Sequence, residues 1–154
     1  MISYIFFSIL IIGAIFCAFR MSTTDFKRRI IPDFYLFPFL FAGLLVTQFF
    51  PFWKITPADS IIAGATGYCL GLAVGFIFEH IKKNLEYPPI GMGDIKLLGA
   101  VGIWVGTRGL SIALLIACVL SFIWGYKKKQ KYVPFAPFFL TGGFLSLIII
   151  QFLI

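Results

Sequence analysis

Two acidic residues, Asp94 and Asp25, are the side chains of this sequence whose type and position best suit chemistry. Asp94 ends the run Gly91-Met92-Gly93-Asp94, between a polar connector and an apolar stretch. A carboxylate at the edge of hydrocarbon is costly to keep ionised, so an acid placed there is a candidate functional residue. Two such acids brought together share one proton, and the ionised member can activate water while the protonated member polarises a carbonyl. This is aspartic-protease chemistry, for which we expect no metal and no other cofactor.

The composition indicates that a membrane must position these acids. Of the 154 residues, 60% are hydrophobic and 12% are charged, which is more apolar than a soluble domain of this size. At about 20 residues per crossing, the chain has room for about six spans. Backbone exposed to lipid must satisfy its hydrogen bonds within each helix. We therefore predict an all-α, polytopic membrane bundle of about six transmembrane helices, as a single domain over residues 1–154.

Six apolar stretches predict the individual spans. The first has no basic residue before it and no cleavage signature after it, so we expect a retained helix rather than a signal peptide. The fourth is short and rich in glycine. The predicted spans cover residues 2–19, 34–50, 58–78, 95–105, 110–124 and 134–154.

The distribution of positive charge predicts the orientation. All but two of the 13 Lys and Arg residues follow the first, third or fifth span, and the exceptions are Lys54 and Arg108. By the positive-inside rule, the three basic connectors face the cytoplasm and both termini face outward. The net charge of +7 is therefore a topology signal rather than a sign of nucleic-acid binding. Asp25 and Asp94 are two crossings apart, so they return to the same face and can meet.

Several residues near the two acids have more than one interpretation. Gly91 and Gly93 allow close backbone approaches that would bring Asp94 to Asp25, but they could equally end a loop, with Asp94 as a helix N-cap and Asp25 as a solvated charge. Asp33, after Pro32, is predicted to cap the second span, and it is the alternative partner for Asp94. Lys96 could favour the ionised form of a nearby acid, or it could extend to the membrane surface.

The remaining polar residues are assigned structural roles. Asp59 is predicted to cap the third span on the outer face. Pro134 and Pro137 are expected to bend the entrance to the last span. Cys17, Cys69 and Cys118 are far apart and form no CxxC pair, so neither a zinc site nor a disulfide is predicted. Glu79 and His80 are a poor ligand set, and no metal site is expected.

Three motifs then resemble those of a known family, the prepilin peptidases or type IV leader peptidases. The segment 25–36, Asp-Phe-Lys-Arg-Arg-Ile-Ile-Pro-Asp-Phe-Tyr-Leu, resembles the motif around the first catalytic aspartate. The segment 91–98 resembles the GxGD motif, and 133–137 is similar to the IPFGP-type run, with Ala136 in place of the common glycine. The motifs follow the family's order and cover the chain.

The resemblance implies an intramembrane aspartic endopeptidase with Asp25 and Asp94 as its catalytic pair. Members remove the short basic leader from type IV prepilins, pseudopilins or preflagellins at the cytoplasmic face of the plasma membrane, usually after a glycine. The substrate's apolar helix would lie in the lipid bilayer beside the spans. Many bacterial members also methylate the new N-terminus through a domain with paired CxxC motifs. This sequence is similar to the short forms without that domain, so cleavage without methylation is expected.

Two other functions remain open. One is a presenilin-like protease that cuts other membrane helices, since such enzymes share the GxGD motif. The other is a non-catalytic bundle, a pilus-assembly scaffold or a transporter whose two acids relay protons or ions. The sequence does not predict the oligomeric state.

Overall fold

The computed structural model describes residues 2–81, 90–128 and 133–153. These residues form helices and connectors and contain no strand. The connector residues 82–89 and 129–132, which carry part of the predicted cytoplasmic charge, lie outside the described part. The helices are α1 (Ile2–Arg28), α2 (Asp33–Phe49), α3 (Pro57–Ile81), α4 (Met92–Lys128) and α5 (Phe135–Leu153).

The helices have the length and surface of a membrane bundle. α1, α3, α4 and α5 are long and apolar enough to cross a bilayer, and α2 is a shorter apolar helix. Large side chains such as Phe122 and Phe152 are exposed, and a lipid environment accounts for such a surface. The predicted fold class, a polytopic helical membrane bundle, is confirmed.

α4 reverses direction at Gly106. A straight helix would separate Val101 from Ala113 by about 18 Å at 1.5 Å per residue. Nevertheless, the adjacent glycines of α5, Gly142 and Gly143, pack closely against Ala113 and Val101, respectively. α4 therefore consists of two antiparallel arms, residues 92–105 and 107–128, which correspond to the fourth and fifth predicted spans. With these arms, the described residues form six helical segments.

The turn at Gly106 combines an unusual backbone with caps from α3. Gly106 has φ 70° and ψ −179°, a conformation essentially restricted to glycine. The Asp59 carboxylate accepts hydrogen bonds from the backbone N–H of Thr107 at 3.2 Å and from its hydroxyl at 2.6 Å. Ser60 donates to the carbonyl of Ile103 at 2.7 Å. Polar groups freed at both sides of the turn are thereby satisfied.

This geometry corrects the role assigned to Asp59. The Thr56 hydroxyl accepts the backbone N–H of Asp59 at 3.2 Å, so Thr56 provides the side-chain cap of α3. Asp59 caps the second arm of α4 instead. The sequence prediction was wrong because an acid in the first turn of one helix can also reach the start of another helix.

Close helix packing places the first arm of α4 at the centre of the bundle. A Cβ atom added to Gly67 of α3 would lie 2.6 Å from the carbonyl oxygen of Leu98, so the two backbones approach as only small residues permit. On another side, the Trp104 indole donates to the carbonyl of Phe39 in α2 at 2.9 Å. The arm that begins beside Asp94 is thus held by α2, α3 and α5.

Candidate active site

Asp25 lies in the last turns of α1 and is only 5% exposed. Its carboxylate accepts a hydrogen bond from the backbone N–H of Ala136 at 2.9 Å, although 111 positions separate the two residues. The Phe135 N–H also interacts with it. These N–H groups belong to the first turn of α5 and have no partner within that helix. A carboxylate is stabilised at such a helix N-terminus, so Asp25 serves as the cap of α5.

The prolines around Ala136 fit this arrangement. Pro134 immediately precedes α5, and Pro137 is its third residue. A first-turn proline is tolerated because its missing N–H would have had no helical partner. Phe135 and Ala136 are therefore the first-turn residues with an N–H to offer, and both interact with Asp25. Where the sequence predicted a bend, the structure places the start of α5, which the Asp25 carboxylate caps.

Asp94 is the third residue of α4. Its backbone N–H donates to the carbonyl of Gly91 at 3.0 Å, and its carboxylate interacts with the N–H of Gly91. This is the position from which an acidic side chain reaches back to the residue before the helix. Asp94 therefore has a capping role, but from within the first turn rather than from the N-cap position.

The two carboxyl groups, Asp25 and Asp94, interact electrostatically. The structure therefore brings together the two residues that the crossing count placed on one face. We call this end of the bundle the aspartate end, and the end with Gly106 the opposite end. The site thus combines the proximity of two carboxyl groups with the burial of Asp25.

The glycines of the GMGD run provide the space for this approach. A Cβ on Gly93 would lie 3.0 Å from Cβ of Ile31, in the segment that directly follows α1. A Cβ on Gly91 would lie 3.3 Å from Oδ2 of Asp94 itself. Gly93 thus lets the start of α4 come close to the end of α1, and Gly91 leaves room for the Asp94 carboxylate.

Asp33 and Lys96 form an ion pair beside the two acids. The Lys96 Nζ lies 2.7 Å from Oδ2 of Asp33, and the side chains are 31% and 49% exposed, respectively. Pro32 occupies the N-cap position of α2 without a side-chain cap, so the prediction that Asp33 caps this helix was wrong. The acid that Lys96 contacts is Asp33. An exposed pair of this kind is worth at most about 1 kcal/mol, and it connects the starts of α2 and α4.

Sequence reasoning missed two partners of Asp25. One is the backbone of residues 135 and 136, described above. The other is Arg29, whose charge acts on Asp25 and whose backbone, with φ 57°, ends α1 in a left-handed conformation. Arg29 was counted in the basic topology signal and lies in the motif of residues 25–36, but no role toward Asp25 was assigned to it. Its spacing of four residues from Asp25 on a helix was a signal that could have identified it.

The described residues contain no group of three His, Cys, Asp or Glu side chains that could hold a metal ion. Apart from the Asp94 carboxyl group, the groups that act on Asp25 are backbone N–H donors and the Arg29 cation. The arrangement is suited to holding a carboxylate and moving a proton between two acids.

The fold and this site define a multi-pass helical membrane protein with two interacting acids at one end, of which Asp25 is buried and Asp94 is partly buried. Residues 4–126 match the model of the type IV leader peptidase family, and the chain belongs to that family. The family predicted from the resemblance is thereby confirmed. The match includes Asp25 and Asp94, whereas Pro134 and Pro137 lie beyond it.

Curated relatives carry the name prepilin leader peptidase/N-methyltransferase. The protein of Burkholderia pseudomallei strain 1026b is 33% identical over 134 residues, which are 82% of this chain and 42% of the relative. That of Bacillus subtilis strain 168 is 30% identical over 152 residues, 92% of this chain and 53% of the relative. The chain thus spans about half the length of these relatives. No solved structure is significantly similar to the chain.

Proposed function

We propose that these 154 residues form an aspartic endopeptidase that removes the leader from type IV prepilins, pseudopilins or preflagellins. Asp25 and Asp94 are the catalytic pair. The observation that carries the proposal is the interaction of their carboxyl groups at the aspartate end, where the family's first two motifs meet. Family membership and the names of the relatives support leader cleavage as the reaction.

The different surroundings of the two acids support a division of roles. Asp25 accepts a backbone hydrogen bond at 2.9 Å and interacts with Phe135 N–H and Arg29. Burial disfavours the charged form of both acids, and these contacts of Asp25 oppose it by favouring a carboxylate over a carboxylic acid. Asp94 has the Gly91 N–H and, on the other side, the Asp25 charge. In our proposal, Asp25 is the ionised base and Asp94 holds the shared proton.

The peptide bond is cut in two steps. Asp25 takes a proton from water as the water oxygen bonds to the scissile carbonyl carbon, and Asp94 gives its proton to the carbonyl oxygen. The tetrahedral intermediate then collapses and the C–N bond breaks. Asp25 passes its proton to the leaving amine, and Asp94 recovers one from a hydroxyl of the intermediate. Both acids end in their starting states.

The orientation and the absence of methylation belong to the proposal as well. The charge bias supports a plasma-membrane protein with the aspartate end at the cytoplasm, where a basic leader would be cut. Cys17, Cys69 and Cys118 form no CxxC pair of the kind that the methylating members carry. We therefore propose that this chain cuts without methylating the new N-terminus.

The test is cleavage of a co-expressed prepilin by Asp25→Asn and Asp94→Asn variants. Asn keeps the size of the side chain but cannot carry the titrating proton, so each variant loses at least about 100-fold in cleavage rate. The matched control is Asp33→Asn, which lies nearby and keeps the rate within a few-fold. Mass analysis of the mature N-terminus locates the cut and shows no added methyl group.

Each outcome has a defined meaning. Cleavage by a membrane-inserted Asp25→Asn or Asp94→Asn variant rules out the pair. Loss in Asp33→Asn with activity in Asp25→Asn makes Asp33 the partner of Asp94. A methyl group added by this chain alone contradicts the proposed absence of methylation.

A further inference from the structure

An apolar groove runs lengthwise between α1 and α5. It has a volume of about 300 Å³, and its lining is almost entirely apolar. Ala14 and Ala18 of α1 and Gly143 of α5 lie along its walls, and Trp104 lies at its floor. Larger side chains at the three small residues would occupy this space.

The faces of α1 and α5 that line the groove also lead to the candidate active site. On α1, Ala14, Ala18, Met21 and Asp25 follow one another at three- and four-residue intervals, which places them on one face of a helix. Ala18 precedes Asp25 by about 10 Å along the helix axis. Met21 is fully buried between them, and its unbranched side chain can adopt other rotamers.

The same relation holds on α5. Ala136, Leu140, Gly143 and Leu147 follow one another at three- and four-residue intervals, and the last three line the groove. The N–H of Ala136, which holds Asp25, therefore lies at the aspartate end of this stripe. Beyond the groove, the faces of α1 and α5 that form its walls both continue to the Asp25 carboxylate.

The groove is open sideways, toward the surface that faces lipid. Its lining residues Ile15, Phe144 and Phe152 are 60%, 60% and 83% exposed. α1, which forms one wall, is the least buried of the four long helices. A membrane helix can therefore enter from the bilayer without crossing a polar barrier.

We propose that this groove seats the apolar membrane helix of the substrate. This inference rests on the proposed function and specifies where the substrate binds. The helix lies alongside α1 and α5, so that the peptide leaving it at the aspartate end is delivered to Asp25 and Asp94. From Phe7 to Ala18 the α1 wall is about 17 Å long, or about three helical turns.

The lining also sets the specificity. A charged side chain in these three turns would be buried without a partner, which is costly. A bulky side chain, by contrast, fills space left by Ala14, Ala18 and Gly143. The lining residue of α1 nearest to Asp25 is Ala18, about 10 Å away along the helix. The groove therefore selects a substrate with about three apolar, uncharged turns that begin about 10 Å from the cut, and a charge introduced in those turns lowers cleavage at least 10-fold.

Photocrosslinking tests directly whether the substrate's membrane helix binds in the groove. Benzoylphenylalanine replaces Phe144 at the groove or, as the matched control, Phe122 on the second arm of α4, which is 75% exposed and does not line the groove. An Asp94→Asn background keeps the prepilin uncut. We expect at least 10-fold more prepilin crosslinked from position 144 than from position 122. Equal yields, or crosslinks to lipid alone at position 144, overturn the inference.

A second test narrows the groove in the active protein. Ala14→Leu places a larger side chain in the groove, whereas Gly13→Leu, one residue away, points into open space. We expect at least a 10-fold lower cleavage rate for Ala14→Leu and little change for Gly13→Leu. Equal rates in well-inserted variants overturn the inference, and if Ala14→Leu fails to insert, the crosslinking decides. Prepilin cleavage by the unaltered chain tests the proposed function separately.

Discussion

The Asp25 carboxylate is held by the main chain of another helix rather than by neighbouring side chains. Its donor, the N–H of Ala136, is 2.9 Å away and is fixed by the helical backbone of α5. Most side-chain replacements at position 136 would leave this donor in place. Proline removes it, because proline has no backbone N–H.

We therefore predict that Ala136→Pro lowers prepilin cleavage by about 10- to 100-fold, since a hydrogen bond to a charged group is worth about 1.5–3 kcal/mol. Proline is compatible with the first turn of a helix, so α5 itself should form. Initial cleavage rates at equal amounts of membrane-inserted protein measure the effect. Ala136→Gly keeps the N–H and serves as the control. Equal rates for the two variants would show that this donor does not position Asp25.

At the residue scale, the sequence allowed one part of the site to be predicted. The proximity of Asp25 and Asp94 followed from an even number of crossings between them. The role of Ala136 could not be predicted, because every residue except proline has a backbone N–H and only the fold determines which one meets a carboxylate. Asp33 was misassigned for a related reason, since its partner Lys96 lies 63 positions further along the chain.

At the scale of the elements, the reversal of α4 at Gly106 limits the length of the arm that begins beside Asp94. Residues 92–105 rise about 21 Å, against about 30 Å for the hydrocarbon of a typical bilayer. A short span is accommodated by local thinning of the bilayer or by neighbouring protein. Because this arm is surrounded by α2, α3 and α5, Asp94 can lie below the level of the lipid headgroups.

We predict that Gly106→Ala destabilises the protein by about 1–3 kcal/mol, the cost of forcing such a backbone on a residue with a side chain. The added Cβ would also collide with the Asp59 carboxylate that caps Thr107. The free energy of unfolding, measured by SDS titration, reports the loss. Gly75→Ala on α3, where a Cβ meets open space, is the control and should be neutral or stabilising. Equal effects of both variants would contradict this account of the turn.

At the scale of the whole molecule, composition was sufficient to predict the class of fold but not its packing. Six apolar stretches correspond to six helical segments because a lipid-exposed backbone must be helical. Helices that are apolar on all sides give no periodic pattern from which neighbours can be deduced. The contact of Gly67 with Leu98 and the groove between α1 and α5 depend on such packing. Neither the contact nor the groove could be predicted from the sequence, because both depend on which helices are neighbours in the fold.

The orientation of the bundle is the largest-scale prediction that remains to be measured. Trp124 packs against Phe26 with ring centroids 5.8 Å apart, so the nearby Tyr126 marks the aspartate end. Phe52, in the α2–α3 connector, marks the opposite end. In a cysteine-free background, an impermeant maleimide should label Phe52→Cys in intact cells. It should label Tyr126→Cys only after permeabilisation, because the positive-inside rule predicts that the end with Lys127 and Lys128 faces the cytoplasm.

The reverse labelling pattern would affect more than the charge count. It would expose Asp25 and Asp94 to the outer face, while a basic leader is retained on the cytoplasmic side by the same rule that orients the enzyme. Enzyme and cut site would then lie on opposite faces of the membrane, and no packing of the substrate helix in the groove could bring them together. Labelling of Tyr126→Cys from outside would therefore exclude leader cleavage by this acid pair, whereas protection of that residue leaves the pair and the leader on one side.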